Sequence, residues 1–255
     1  MSMNVATTKG KRNRPCRGFV PSTEMSRVGG NGNKANSGNS YGKAVESEQL
    51  RYRGQLQLDY LYLARFDARV TSILPNPFTI RYRYGRSRLR YTPAYLIIED
   101  SHEVLVDCTL KASLADDEVK RRISAATEWC EEHGYEFRML TEEKIRNGHL
   151  LKNVKRLMRY TRHVVGPDFR AQLYSILEGE PRGIPIGQLA EKLSQAPDDV
   201  TDTVQSICHL ATLHEVELAI EDAPLGVNTR VWLPYHLKHA STSGVGTPNQ
   251  TQMKA

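Results

Sequence analysis

The chain has 255 residues and a formal net charge of +6, and 39% of its residues are hydrophobic and 25% charged. This composition is close to that of an ordinary soluble globular protein, and no apolar run is long enough to span a bilayer. The N-terminal stretch MSMNVATTKGKRNR has no apolar core, which excludes a secretory signal. We therefore expect a cytoplasmic protein with no membrane partner.

The four cysteines are too far apart to suggest a shared site. Their spacing fits neither a zinc site nor a disulfide framework, and we expect each to be an inert packing residue. They are Cys16, Cys108, Cys130 and Cys208.

Charge is distributed unevenly along the chain. Residues 1–53 carry a net +7, residues 54–165 a net +4, residues 166–237 a net −7, and residues 238–255 a net +2. A basic front and an acidic back are expected to contact different partners. Residues 1–45 are rich in Gly, Asn, Ser and basic residues, and residues 238–255 are similarly polar, so both are predicted to be disordered. The first segment is either an inert tail or a basic arm that orders on DNA phosphates.

Residues 46–66 have an apolar stripe at helical spacing and are predicted to form a helix. Beyond Pro75 and Pro77, the segment FTIRYRYG is predicted to be a strand in which arginines alternate with apolar and aromatic residues. Five arginines follow one another here without an intervening acid: Arg81, Arg83, Arg86, Arg88 and Arg90. They favour contact with a nucleic-acid backbone; the alternative is a solvated edge strand that charge protects from aggregation.

Residues 91–109 are predicted to form two strands, Tyr91 to Ile98 and Glu103 to Cys108, joined by a polar turn. A helix from Leu114 to His133 follows, with acids in its first turn and Gly134 as its stop signal. YEFRML then predicts a strand and TEEKIR a helical turn. This order predicts an α/β domain with a mixed sheet and helices on both faces.

Arg146 to His163 is predicted to form a basic helix with six Lys or Arg and no acid. Phosphate contact is favoured over a merely solvated face because no acid compensates the charge. The cations on its polar side are Lys152, Lys155, Arg156, Arg159 and Arg162.

Residues 164–237 are predicted to form three helices and a two-stranded wing, which resemble a winged helix-turn-helix. The third helix would read DNA, yet it carries Asp198, Asp199 and Asp202 and no Lys or Arg. Phosphate would repel such a helix. We therefore interpret this domain as a protein-docking module.

Residues 50–163 resemble the TnsA endonuclease family, a subunit of heteromeric bacterial transposases. The segments that carry the resemblance are LDYLYLARFD, NPFTIRY, YTPAYLIIED, HEVLVDCT, ATEWCEEHGYEFRMLTEEKIR and the basic helix. The resemblance implies a restriction-endonuclease-like domain at 46–163 and a winged-helix domain at 164–237. It also implies a role in cutting the 5′ strand at transposon ends beside a partner transposase.

The family's catalytic positions correspond here to Gln57, Ala94, Asp107 and Thr109. The family has a glutamate, an aspartate, an acidic or polar residue and a lysine at these positions, so three of the four are substituted. Asp107 is the one remaining carboxylate that could ligate a metal, whereas Mg²⁺ usually needs one or two carboxylates plus the substrate phosphate. Neighbouring Glu99, Asp100 and Lys111 do not easily reproduce the lost geometry.

We therefore expect a TnsA-like subunit that binds transposon-end DNA and docks a transposase or an ATPase regulator of transposition. We expect it to lack strand cleavage and a cofactor. One alternative is an active endonuclease that uses Mg²⁺ to cut the 5′ strand. The other is a winged-helix transcriptional regulator whose front domain is a scaffold.

Overall fold

The computed structural model describes residues 37–40, 50–194, 196 and 199–234, which divide into two compact units with the boundary between Ile145 and Arg146. The predicted arm and tail lie outside the described residues, apart from Ser37–Ser40. No helix in the described part of the chain is long and apolar enough to cross a bilayer.

The first unit combines strands and helices, as predicted. Its elements in chain order are β1 (Ser37–Ser40), β2 (Leu50–Arg53), α1 (Gln55–Phe66), β3 (Val70–Pro75), β4 (Ile80–Tyr84), β5 (Ser87–Tyr91), β6 (Tyr95–Glu99), β7 (His102–Thr109), α2 (Asp117–His133), β8 (Glu136–Thr141) and α3 (Glu142–Ile145).

A four-stranded mixed sheet in the order β3-β6-β7-β8 forms the centre of this unit. The β3, β6 and β7 strands are antiparallel, and β8 is parallel to β7. Alternate residues of β7 point to opposite faces. Val104 and Val106 pack with α1, whereas Leu105 packs with Cys130 of α2. The predicted mixed α/β fold with helices on both faces is thus confirmed.

Helix α2 ends at His133 as predicted, but it begins at Asp117 rather than at Leu114, because a 3₁₀ turn occupies Lys111–Ala115. The Asp116 side chain accepts a 2.6 Å hydrogen bond from the Glu118 amide and so caps the N-terminus. Gly134 closes the helix in the left-handed conformation with φ of 77°.

The chain before α1 is extended, so the prediction of a helix from residue 46 was wrong over Leu50–Arg53. These residues pair with Ser37–Ser40, which also corrects the prediction of disorder at those four positions. Gly54 separates β2 from α1 with φ of 79°, a conformation that side-chain-bearing residues rarely adopt. Strand β3 was not predicted, because its apolar residues directly follow the apolar stripe of α1.

The single strand predicted over Tyr91 to Ile98 is two strands. Tyr91 ends β5, where it pairs with Ile80, and β6 begins only at Tyr95. Pro93 lies between them and has no N–H to donate to a ladder, which explains the interruption.

The second unit contains more helix than sheet. Its elements are α4 (Leu150–Leu157), α5 (Pro167–Glu178), β9 (Ile184–Pro185), α6 (Ile186–Leu193), α7 (Val200–Thr212), β10 (Glu217–Leu218) and β11 (Arg230–Trp232). The strands pair in the order β10-β11-β9. The segment GIPIGQLAEKLSQ predicts the second of the three helices, which would include residues Ile184–Pro185. They pair with β11 instead, after Gly183 turns the chain with φ of 74°.

Residues 146–163, which we call the basic segment, belong to the second unit. The sequence had assigned them to the first domain. The α-helix of the basic segment is also shorter than predicted, covering Leu150–Leu157, with a 3₁₀ turn at Met158–Tyr160. Asn153 is 2% exposed and makes three hydrogen bonds of 2.7–2.8 Å to the main chain of Ile220, Ala223 and Leu225. These buried bonds fix α4 to the connection between β10 and β11, within the second unit, and so explain the earlier boundary.

Candidate nucleic-acid interface

The β4–β5 hairpin brings the predicted arginines together on one face. Its antiparallel register sets Arg81 opposite Arg90 and Arg83 opposite Arg88. The other face pairs Tyr82 with Leu89, and Tyr82 is 4% exposed. Because alternate residues of a strand point to opposite faces, burial of one set directs the arginines outward.

Packing against α2 fixes which face of the hairpin is buried. Ile80, Tyr82 and Tyr91 form an apolar cluster with Ala125 and Ala126. The small alanine side chains let the hairpin lie close to the helix. The alternating sequence of β4 therefore correctly predicted an arginine face, although it could not show which element covers the opposite face.

The five arginines are all exposed, and within the described part of the chain none of them lies within ion-pair distance of an acid. Like charges directly opposite each other in a sheet are destabilising. Such a face has a strong positive potential and suits a polyanion. We name it the arginine face and define it as Arg81, Arg83, Arg86, Arg88 and Arg90.

Helix α2 contributes two further arginines, which sequence reasoning did not identify. The guanidinium carbon of Arg121 lies 4.6 Å from the ring centroid of Tyr84, and that of Arg122 lies 5.8 Å from the ring centroid of Tyr91. The Nε atoms of both arginines are buried and have no hydrogen-bond partner in the described part of the chain. The run Lys120-Arg121-Arg122 indicates local positive charge, but the sequence does not show that its arginines contact the hairpin, because Tyr84 and Tyr91 lie about 30 to 40 residues earlier in the chain.

Asp107, the one acid at the four positions that the TnsA resemblance assigns to catalysis, is held by its neighbours. The Tyr91 hydroxyl donates a 2.6 Å hydrogen bond to Oδ2 of Asp107, and the Cys108 amide donates one of 2.8 Å to Oδ1. Burial raises the pKa of the Asp107 carboxyl above its ordinary value of 3.8, while these two bonds and the positive charges of Arg122 and Arg53 act to lower it. Both carboxylate oxygens therefore already have a donor.

The remaining family positions supply no second carboxylate. Continuing the β6–β7 register by one step places Ala94 opposite Asp107, and Ala94 is buried in the core. Gln57 Oε1 accepts a 2.6 Å hydrogen bond from the Arg53 amide beside the start of α1. Thr109 ends β7, where it pairs with Thr141.

The neighbouring charged residues Lys111, Glu99 and Asp100 do not point to a site at Asp107: two form ion pairs and the third lies in a turn. The Lys111 ammonium is 2.8 Å from Glu143, and the Glu99 carboxylate is 2.8 Å from Arg138. Asp100 lies in the exposed β6–β7 turn with φ of 47°. None of the three therefore places an acid beside Asp107 or a lysine at the position of Thr109.

The donor set at these positions does not fit Mg²⁺. This ion prefers near-octahedral coordination by anionic or carbonyl oxygens. Asp107 has two protein donors, Ala94 offers no oxygen, and the Gln57 carbonyl is hydrogen-bonded to the main chain. Among the described residues, no cluster of three or more His, Cys, Asp or Glu side chains could hold a metal ion.

Only part of the basic segment is available for a ligand. Lys152, Arg159 and Arg162 are exposed, and Lys155 is half-buried. Arg156 is exposed, but its Nη1 donates a 2.6 Å hydrogen bond to the Leu225 carbonyl, so it also stabilises the fold. These cations belong to the second unit and the arginine face belongs to the first.

The third helix of the second unit, α7, is buried over its second half, where it contacts the end of the basic segment. Every residue from Ser206 to Thr212 is buried. The His209 ring nitrogen Nδ1 lies 2.8 Å from the Tyr160 carbonyl oxygen, and His163 Nε2 lies 2.9 Å from Ser206 Oγ. Only the first turn of α7 is exposed, and it carries Asp202.

No family model matches the chain, and no curated protein matches it in sequence.

Proposed function

We propose that this chain is a TnsA-like subunit of a bacterial DNA transposition machinery that binds transposon-end DNA without cutting it. The observation that carries DNA binding is the arginine face, where Arg81 and Arg83 lie opposite Arg90 and Arg88. If these arginines only kept an edge strand soluble, acids between them would relieve their mutual repulsion. The hairpin has no acid, so its positive charge is left for phosphate to neutralise.

The state of the family's catalytic positions supports a role without cleavage. Asp107 is tethered by Tyr91, and the position opposite it is the buried Ala94. Hydrolysis of a phosphodiester by this class of centre needs a metal ion to activate water. The residues here do not supply its ligands, which disfavours the alternative of an active endonuclease.

The second unit supports partner docking. Its helices α5, α6 and α7 and the sheet order β10-β11-β9 agree with a winged helix-turn-helix. In that fold the third helix would read DNA, but here α7 is buried from Ser206 to Thr212 and carries an acid in its exposed first turn. We therefore propose that this unit docks a transposase or an ATPase regulator rather than acting as a transcriptional regulator.

DNA binding is tested by anisotropy of a fluorescein-labelled duplex with the full chain over a range of salt concentrations. The double variant R83Q/R88Q should weaken binding about tenfold and lower the salt slope by nearly two, because each lost phosphate contact contributes about 0.9. The matched control is K111Q/K120Q, which also removes two charges from the first unit. Both of those lysines pair with acids, Glu143 and Asp117. Equal effects of the two double variants would refute the role of the arginine face.

Cleavage is tested by incubating the full chain with a labelled duplex and Mn²⁺. We expect binding without nicking. Metal-dependent nicking that D107A abolishes would instead establish the endonuclease alternative.

A further inference from the structure

The Arg122 guanidinium lies close enough to Asp107 to act electrostatically on its carboxyl. Arg122 of α2 faces the ring of Tyr91, whose hydroxyl donates to Asp107. The Arg122 Nε is buried and, among the described residues, has no hydrogen-bond partner. In the part of the chain that the structure describes, Arg122 forms no ion pair with an acid within 4 Å. The two oxygens of Asp107 accept hydrogen bonds from Tyr91 and Cys108 instead.

An unpaired N–H at a buried position costs free energy unless a ligand satisfies it. A guanidinium presents planar, charged donors that match the oxygens of a phosphodiester. Mg²⁺ in an active centre would neutralise the same phosphate, but the donor set here does not fit the ion. The surroundings of Asp107 therefore hold a guanidinium cation and no set of metal ligands.

We propose that Arg122 binds a backbone phosphate of the DNA at this centre in place of a metal ion, so that phosphate binding there is metal-independent. The proposal rests on the proposed function, because DNA supplies the phosphate. Arg53 contributes a second positive charge near the same carboxylate, since both arginines act electrostatically on Asp107.

Asp107 has a defined role in this arrangement. Its two oxygens accept hydrogen bonds from Tyr91 and Cys108, and the carboxylate forms no ion pair with Arg122. Its negative charge still opposes an approaching phosphate. Removing that charge while keeping the shape, as in D107N, should therefore strengthen DNA binding.

A purely structural role for Arg122 predicts a different set of results. If Arg122 only balances the charge of Asp107, R122Q should lower the melting temperature without changing the salt dependence of DNA binding. A phosphate contact instead contributes about one unit to the slope of log K against log salt. The salt slope thus separates the two roles.

The test uses the full chain and a fluorescein-labelled duplex, with anisotropy measured across salt concentrations in Mg²⁺ or in EDTA at matched ionic strength. R122Q should weaken binding about fivefold and lower the salt slope by about one. D107N should tighten binding, and the affinity in Mg²⁺ should not exceed the affinity in EDTA, because Mg²⁺ only competes with the protein for phosphate. The control K120Q removes a neighbouring charge that is paired with Asp117, 3.4 Å away, and should leave the slope unchanged.

Three results would overturn the proposal. They are a slope for R122Q equal to that of K120Q, a loss of affinity in D107N, or Mg²⁺-dependent tightening in the wild-type chain. If R122Q does not fold, the proposal is tested with R122K and D107N. R122K should keep the salt slope of the wild-type chain, and D107N should bind the duplex more tightly than the wild-type chain. If R83Q/R88Q weakens binding while the Arg122 variants do not, only this inference fails. If R83Q/R88Q also binds like wild type, the proposed function fails with it.

Discussion

Arg83 of β4 lies directly opposite Arg88 of β5, and both side chains are exposed. Opposed like charges in a sheet destabilise it, so this pair costs the fold some free energy. Arginines that lower the stability of the unbound protein but can bind DNA phosphates are expected in a binding site. Removing one of them should therefore raise the stability of the protein and lower its affinity for DNA.

We predict that R83Q raises the free energy of unfolding by about 0.2–0.5 kcal/mol, because it removes the repulsion from Arg88. The same variant should bind DNA more weakly. Urea unfolding and duplex anisotropy measure the two effects. The control is R69Q, because Arg69 pairs with Asp67 and Glu99, and its loss should give no gain in stability. A loss of stability in R83Q would contradict the prediction.

Asp107 should make the stability of the protein depend on pH. Burial raises the pKa of its carboxyl in the folded state, so between the ordinary value of 3.8 and the raised value the folded chain binds more protons than the unfolded chain. The stabilisation from this group is present at acid pH and is lost as pH rises through the raised pKa. D107N does not titrate, so its stability relative to wild type should rise with pH over that window.

Urea unfolding of wild type and D107N at a series of pH values above 3.8 measures this dependence. D100N, which removes an exposed turn carboxyl, controls for loss of a surface charge. A stability difference between D107N and wild type that falls with rising pH would mean that the hydrogen bonds from Tyr91 and Cys108 outweigh burial.

Local sequence patterns predicted the features that depend on short-range alternation. The alternation of Ile80 and Tyr82 with Arg81 and Arg83 predicted a strand with an arginine face, and Gly134 predicted the end of α2. The mixed sheet followed from the order of strands and helices. The arginine face and the end of α2 depend on residues within a few positions of one another, and the mixed sheet depends only on the order of the elements.

Features that depend on distant partners could not be read from the sequence. The three main-chain partners of Asn153 lie 67 to 72 residues further along the chain, so nothing local assigns α4 to the second unit. Arg122 meets Tyr91 only after α2 packs on the hairpin. Strand β2 requires its pairing with Ser37–Ser40, in a segment whose composition suggested disorder.

Asn153 should be essential for the stability of the second unit. N153A removes three buried hydrogen bonds and leaves main-chain groups at Ile220, Ala223 and Leu225 without their partner. We expect a loss of about 3 kcal/mol, at roughly 1 kcal/mol per bond. Urea unfolding followed by far-ultraviolet circular dichroism measures it.

The matched control for N153A is N147A, the same substitution at an exposed position six residues earlier in the chain. It should change stability by less than about 0.5 kcal/mol. Similar losses in the two variants would mean that the buried amide does not fix α4 to the second unit.

Arg156 and Lys152 should separate a structural cation from a binding one. Arg156 Nη1 donates to the Leu225 carbonyl, whereas Lys152 lies exposed one turn earlier on α4. R156Q should lower the free energy of unfolding by about 1–2 kcal/mol, because the hydrogen bond involves a charged donor. K152Q should leave stability within about 0.5 kcal/mol of wild type.

DNA binding by the same two variants completes the test. If the basic segment contacts phosphate, K152Q should weaken duplex binding and lower the salt slope by about one. R156Q should change the slope less, because its guanidinium is already committed to Leu225. K152Q should therefore lose more affinity than stability, and R156Q more stability than affinity. If R156Q loses more affinity than K152Q, Arg156 leaves the Leu225 carbonyl to bind DNA. If neither variant loses affinity, DNA binding is restricted to the first unit.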